Sequence, residues 1–420
     1  MYVVGLLYHP SSDNIGNVNN LEKSLAPILP QFYPFAGRYI KENQSVDCSD
    51  QGAEYVEAKV DCDLLDIIGS EVQPMELNDL LPVEVGAADE ASDPILSIQI
   101  SKFKCGGVTI ATAISHRVID TSSLGTFLSA WAKAIRGDNS TEPIIPKFDS
   151  PLNFLQVENL GEIDSETSRT RDPTFVTKRI LFSKKEIANL RARVSHLYGK
   201  SDRPPSRVLV VSSFLSEALM RCDRVKHGKS RACLIAAEET KSLDFEHLVP
   251  LLSNTIEKAV LDCSKILSNA EDARKFLFDA VAGGSLELDW APRGTNSLWK
   301  GENLYPIGFG HKPTRAHRRH PSDRPARARA RVRVRVQSVW KCHKPNYKYL
   351  KFSDWSKFGF YDNDFGFGRP IWISSANLPM SNVIVMMNTK EDDGIEAWVH
   401  LHEKDVSYFE QDEEIRRLTT

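Results

Sequence analysis

The 420-residue chain lacks any apolar run approaching the ~18–20 residues that cross a bilayer. Met1–Leu7 is apolar but has neither a basic lead-in nor a long apolar stretch, so it does not read as a signal peptide. The seven cysteines (48, 62, 105, 222, 233, 263 and 342) are odd in number, scattered and free of any Cys-x-x-Cys spacing. That argues against a disulfide framework or a zinc site and makes a reducing, cytoplasmic compartment the expectation. Formal net charge is only -3, so the whole molecule offers no field for nucleic acid. What the chain does have is an ordinary globular composition, 41% hydrophobic and 26% charged, over a length sufficient for two cores.

Periodicity mixes strands with helices. Val3–Tyr8, Val56–Val60 and Leu96–Ile100 read as strands. Gly106-Gly107 turns the chain into a further strand from Val108, giving a hairpin with a loop over Ser101–Gly107. That strand delivers His116 to a sharp turn. Leu124, Phe127, Leu128, Trp131 and Ile135 follow as an amphipathic helix with Gly137 as its C-cap. Residues 138–175 are rich in Pro, Asp, Ser and Thr without periodicity and read as a long crossing. Ser183 and Glu186 form a capping box, and helices are expected near Arg207–Cys222 and Phe245–Leu267. Strands are expected at Pro370–Ser375, Asn382–Asn388 and Gly394–His402. The fold class is mixed α/β (α+β).

One segment fits none of this. From His311 to Val336 there are nine arginines, with Arg329, Arg331, Arg333 and Arg335 alternating with small or apolar residues. A nucleic-acid patch is one reading. A solvated insertion, or non-coding sequence carried into the chain, is favoured, because aromatics do not interleave the charge.

Three patterns carry chemistry. His116-x-x-x-Asp120 places an imidazole at the end of a buried strand with a carboxylate four residues on, a general-base arrangement. The pattern is weak by itself: 11 histidines and 29 aspartates give roughly one match by chance. Asp120 also reads as an N-cap. His9-Pro10-Ser11-Ser12-Asp13 has the same spacing but is discounted as a Pro-Ser loop. Asp364-Phe365-Gly366-Phe367-Gly368-Arg369-Pro370 is a tight loop of two glycines around an aromatic. It is no kinase motif, since no glycine-rich nucleotide loop or His-Arg-Asp precedes it. His400-x-His402 with Glu396 shares one strand face, where a solvated face is favoured over a metal site.

Taken together, His116-Arg-Val-Ile-Asp120 and Asp364-Phe-Gly-Phe-Gly368 resemble the His-x-x-x-Asp and Asp-Phe-Gly-Trp-Gly pair of the plant BAHD acyl-CoA-dependent acyltransferases. Phe32-Tyr-Pro-Phe-Ala-Gly-Arg38, Val46–Asp50, Ser206–Cys222 and Tyr349–Trp372 are similar to the same family, nearest its vinorine synthase-like branch of alkaloid O-acetyltransferases. The resemblance implies two chloramphenicol-acetyltransferase-like domains around a central channel. The first is residues 1–175, carrying His116. A crossover occupies 176–205. The second is 206–420, carrying the Asp364 loop and the anomalous arginine-rich insertion at 311–336.

It further implies acyl transfer from acyl-CoA, acetyl-CoA by default, to a hydroxyl of a specialised metabolite. Neither a covalent acyl-enzyme nor a metal is needed. His116 is the base, and Asp120 holds local geometry through an arginine. Asp364 belongs beside His116 in the essential set but acts as a linchpin, supported by Phe365, Gly366, Phe367 and Gly368. Partners are acyl-CoA and a small alcohol, for a monomer that binds neither nucleic acid nor membrane. Two departures stand out. Phe367 replaces a tryptophan, losing an indole donor. No Asn-Leu-Arg run and following Pro-rich stretch lie between Arg231 and Leu234, so a strand of the second sheet is expected to be missing. A catalytically impaired member, acting at most as a binding protein, is the alternative.

Overall fold

The computed structural model describes residues 2–11, 18–40, 45–68, 74–84, 92–138, 146, 174–199, 203–228, 232–234, 244–268, 307–309, 331–334 and 348–419. Most of the 138–175 crossing and of the arginine-rich run lies outside them. In chain order the first half holds β1 (Tyr2–His9), α1 (Leu21–Leu25), β2 (Arg38–Ile40), β3 (Ser45–Asp47), β4 (Glu54–Val60), α2 (Leu64–Ile68), β5 (Leu96–Phe103), β6 (Val108–Ser115) and α3 (Thr121–Arg136). Then come β7 (Phe175–Phe182), α4 (Lys184–Arg193), α5 (Arg207–His227), β8 (Ala232–Leu234), α6 (Phe245–Ser268), β9 (Ile307–Phe309) and β10 (Arg331–Val334). The chain ends with β11 (Lys348–Asp354), β12 (Trp372–Ser374), β13 (Val383–Asn388), β14 (Ile395–His402), α7 (Glu403–Gln411) and α8 (Glu413–Thr419).

The first sheet has the order β12-β1-β6-β5-β4. β1 and β6 are buried at every position, because β-branched and apolar side chains fill both faces. They pair antiparallel from Tyr2↔Ser115 to His9↔Val108. The β5–β6 hairpin is tighter than expected: pairing continues to Lys102↔Val108, which shortens the loop. β12 comes from far along the chain and covers the outer edge of β1, with Tyr8 opposite Trp372.

α3 starts and stops where its sequence dictates. The Asp120 side chain accepts from the Ser123 amide as N-cap, and Gly137 closes the helix in the left-handed region at φ 62°. Its apolar stripe, Leu124, Phe127, Leu128 and Trp131, is fully buried.

The second sheet has the order β7-β14-β13-β11-β8. Residues 176–205, expected as a crossover, instead supply β7 to this sheet and α4 to its core. The period-2 pattern of β7 is weak because its residues are only half-buried, which hid it in the sequence. The Ser183–Glu186 capping box at α4 is present as expected. Where a strand was expected to be missing, the three residues of β8 pair with Lys348–Leu350 of β11.

β14 faces two cores. Ile395, Ala397, Val399 and Leu401 belong to the core under α5, whereas Trp398 belongs to the core of the first sheet. The face carrying Glu396 and His400 is therefore not solvated: they are 5% and 0% exposed. Part of the arginine run is also placed. β10 lies inside a small sheet of order β2-β3-β10-β9, with Arg331 opposite Asp47.

Candidate active site

The two sequence motifs sit at opposite poles of one structural unit. β6 runs eight residues and hands His116 to the turn at its end, beyond the Tyr2 end of β1. At ~3.3 Å per residue, roughly 25 Å of strand separates that pole from the one where β1 ends in His9. α3 then returns along the same direction. Its 16 residues, at ~1.5 Å each, span about 24 Å. Arg136, at the far end of α3, donates to the carbonyl oxygen of Asp364. His116 and Asp120 are therefore brought together at one pole. Asp364, Phe365, Gly366, Phe367 and Gly368 gather at the other.

At the first pole, His116 is half-buried and its Nδ1 lies 2.9 Å from the Ile119 carbonyl oxygen. A carbonyl can only accept, so Nδ1 carries the proton and the lone pair resides on Nε2. The turn is built for this contact: the amides of Val118 and Ile119 both donate to the Ser115 carbonyl, curling the chain under the ring. Asp120 Oδ1 accepts from the Ser123 amide at 2.7 Å, and among the described residues no arginine pairs with its carboxylate. The neighbouring Arg117 lies over the Tyr39 ring, 4.7 Å from its centroid.

At the second pole, the Asp364 carboxylate holds its own loop. Oδ1 accepts from the amides of Gly366 at 2.8 Å and Gly368 at 3.0 Å. Both glycines have positive φ, 87° and 101°, which a side chain would strain. Phe365 is fully buried, edge-on to Trp131 of α3 at 5.1 Å between centroids. Asp364 thus acts on the backbone of its own loop, at the pole opposite to His116.

The loop also rests on His9, whose Pro-Ser context hides it in the sequence. His9 ends β1 fully buried, with Nδ1 2.9 Å from the Gly368 carbonyl oxygen. The rings of Phe365 and Phe367 meet it edge-on at 5.8 and 4.9 Å. The signal was available: His9 and His116 each stand at the end of a largely apolar strand that is buried throughout. Pro10 and Ser11 concealed it by suggesting a loop.

Between the poles and the second sheet, polar groups are locked together. Arg179 on β7 pairs with Glu396 on β14 through two hydrogen bonds of 3.0 Å. Trp372 on β12 donates to the same carboxylate at 3.1 Å and stacks under the guanidinium at 4.7 Å. His400 lies 2.6 Å from Thr177, whose hydroxyl donates to Asn377 at 2.7 Å. Because that hydroxyl has one proton, His400 Nδ1 is the donor to it. Burial lowers the His400 pKa to about 3. Among the described residues no group of three His, Cys, Asp or Glu could hold a metal ion, and no helix is long and apolar enough to cross a membrane.

Comparison with known proteins agrees with this architecture. A family model described as "Transferase family" matches residues 1–244 and 321–416. The chain is 36% identical to a pelargonidin 3-O-(6-caffeoylglucoside) 5-O-(6-O-malonylglucoside) 4'''-malonyltransferase of Salvia splendens, covering 99% of this chain and 90% of that one. It is 29% identical to vinorine synthase of Rauvolfia serpentina, over 96% and 86% of the two chains. The crystal structure of vinorine synthase superposes with a TM-score of 0.66 at 25% identity, covering 99% of this chain and 90% of that one. TRI101 of F. sporotrichioides, complexed with coenzyme A and T-2, shares the fold at a TM-score of 0.67 and 15% identity, with 100% and 95% covered. With its two sheets, its histidine turn and its distant glycine loop all in place, the chain belongs to the BAHD acyl-CoA-dependent acyltransferases.

Proposed function

We propose that the chain transfers an acetyl group from acetyl-CoA to a hydroxyl of a plant specialised metabolite, with His116 as general base. The observation that carries this is the Nδ1 contact to Ile119, which puts the proton on Nδ1 and the lone pair on Nε2. The acceptor O–H proton passes to Nε2 as the oxygen attacks the thioester carbonyl carbon. A tetrahedral oxyanion forms, then collapses with cleavage of the C–S bond. The thiolate leaving group recovers the proton from the imidazolium, which returns His116 to its starting state. The acyl group needs no stop on the protein in this route.

In the proposal, residues 1–175 and 206–420 form the two halves of a channel that admits acyl-CoA and the alcohol from opposite ends. The working form is a cytosolic monomer. Asp364 serves as linchpin of the second pole, and Asp120 shapes the His116 turn. Several relatives are named acetyltransferases acting at an oxygen, including stemmadenine O-acetyltransferase of Catharanthus roseus and salutaridinol 7-O-acetyltransferase of Papaver somniferum. They support the acetyl donor and an alkaloid-like alcohol.

The test uses the purified full chain and follows thiol release with a panel of alkaloid, terpenoid and phenolic glycoside alcohols. Acetyl-CoA turnover dependent on one of these classes is expected. Turnover with malonyl-CoA alone would replace the donor assignment, and no turnover with any pair would favour a catalytically impaired binding protein.

A further inference from the structure

We propose that His9 is a positioning residue for the acyl transfer: its Nδ1–H holds the Gly368 carbonyl and so fixes the Asp364–Gly368 loop onto the end of β1. This rests on the proposed reaction only for its effect on turnover, not for its effect on the loop.

The argument begins with register. Tyr8 is opposite Trp372, and the Ile371 amide donates to the Tyr8 carbonyl at 2.7 Å. The chain entering β12 must therefore pass directly beside His9. Pro370 precedes that pairing and cannot donate to the ladder, so the loop needs another fastening. His9 supplies it at 2.9 Å. The bond fixes the tautomer, because the Gly368 oxygen can only accept. Nε2 then carries the lone pair, and it is buried without a hydrogen-bond partner among the described residues.

Such an orphaned atom is a cost that a purely space-filling residue would avoid. A leucine would fill this apolar site between Phe365 and Phe367 without it. Retaining a histidine makes sense where the donor on the other nitrogen is what matters. Two other fastenings among the described residues act elsewhere on the loop. Arg136 takes the Asp364 carbonyl, and the Asp364 carboxylate takes the Gly366 and Gly368 amides. His9 therefore holds the Gly368 carbonyl across the interface with β1, joining the loop to the strand that lies beside β6 and its His116 turn.

The variants are His9→Asn, whose side-chain amide can place a donor near the Nδ1 position, His9→Gln, which places it one bond too far, and His9→Leu. Two readouts are taken well below the melting temperature. One is acetyl-CoA turnover. The other is chymotryptic cleavage after Phe365 and Phe367, identified by fragment mass; the rings are 0% and 3% exposed and so are protected in the native protein.

His9→Leu and His9→Gln are expected to raise cleavage at these two sites and lower kcat by roughly tenfold each, the scale of one buried hydrogen bond lost. His9→Asn is expected to recover both to within about threefold. If His9→Leu does not fold, the Asn and Gln pair still decides. Equal cleavage in Asn and Gln, or wild-type protection in Leu, overturns the proposal. Because protection needs no turnover, an inactive wild-type protein with the expected cleavage pattern refutes the acyl-transfer reading and leaves the His9 fastening standing.

Discussion

His9 Nδ1 lies 2.9 Å from the carbonyl oxygen of Gly368, 359 residues further along the chain. This contact marks the pole of the β1–β6–α3 unit opposite to His116. It explains how a loop that does no proton transfer can belong to the same machine. The loop seats β12 against β1, β1 pairs with β6 along its whole length, and β6 aims His116.

Removing the Asp364 carboxylate leaves two glycine amides without their acceptor in a part-buried loop. Asp364→Ala is expected to cost about 2 kcal/mol, the lower range for hydrogen bonds to a charged acceptor. Asp364→Asn keeps one oxygen and is expected to cost less than half of that. Chemical denaturation of the two variants checks the order. Equal losses would mean that the charge matters more than the acceptor geometry.

Acid should loosen the fold through two buried histidines. Burial lowers the pKa of His9 to about 4 and of His400 to about 3, below the ordinary 6.5. The nearby Asp364 charge and the Gly368 bond oppose this for His9 without overcoming it. The unfolded chain then binds more protons than the folded one below about pH 6.5, so stability is complete above that value and falls as pH drops towards the folded pKa. Between pH 7.5 and 5 each histidine accounts for a loss of roughly 2 kcal/mol. His9→Asn removes one share, so its stability should fall by about 2 kcal/mol less than wild type over that interval. Parallel denaturation curves at the two pH values give the difference, and identical losses would refute it.

Glu396 accepts from two side chains at once, Arg179 and Trp372. Its side chain is 7% exposed and that of Arg179 22%. Glu396→Ala strands the guanidinium and the Trp372 indole, with an expected cost of about 3 kcal/mol. The double variant Arg179→Met/Glu396→Leu leaves a single unsatisfied indole and should be more stable than the single one. A double variant at least as unstable as Glu396→Ala would contradict this account of the cluster.

Gly125 decides between helix propensity and packing. Alanine in a helix interior gains up to about 1 kcal/mol over glycine. Here its Cβ would stand 2.9 Å from the Phe358 carbonyl oxygen, a backbone atom that cannot rotate away. Gly125→Ala is expected to lower the melting temperature. An increase would show that the segment after β11 yields freely.

How much of this could be read in advance varies element by element. The β5–β6 hairpin, the Asp120 cap, α3 with Gly137 and the Ser183–Glu186 box were legible, because each is specified by residues within a few positions of one another. β7 was read as a crossover because its half-buried faces show little alternation. Glu396 and His400 looked solvated because polar side chains on a strand usually face water. Here that face packs beside Trp398 against the first core, where Arg179 pairs with the Glu396 carboxylate and Thr177 with His400 Nδ1. His9 was lost because its value depends on Tyr8 pairing with Trp372, a long-range register that no local pattern encodes.

The central claim is that Nε2 of His116 takes the acceptor proton, and steady-state turnover of His116→Ala tests it most directly. With acetyl-CoA, an accepted alcohol and a far-UV spectrum unchanged from wild type, the account predicts a loss of at least ~10²–10⁴ in kcat, the usual contribution of a general base. Turnover within about threefold of wild type would contradict it.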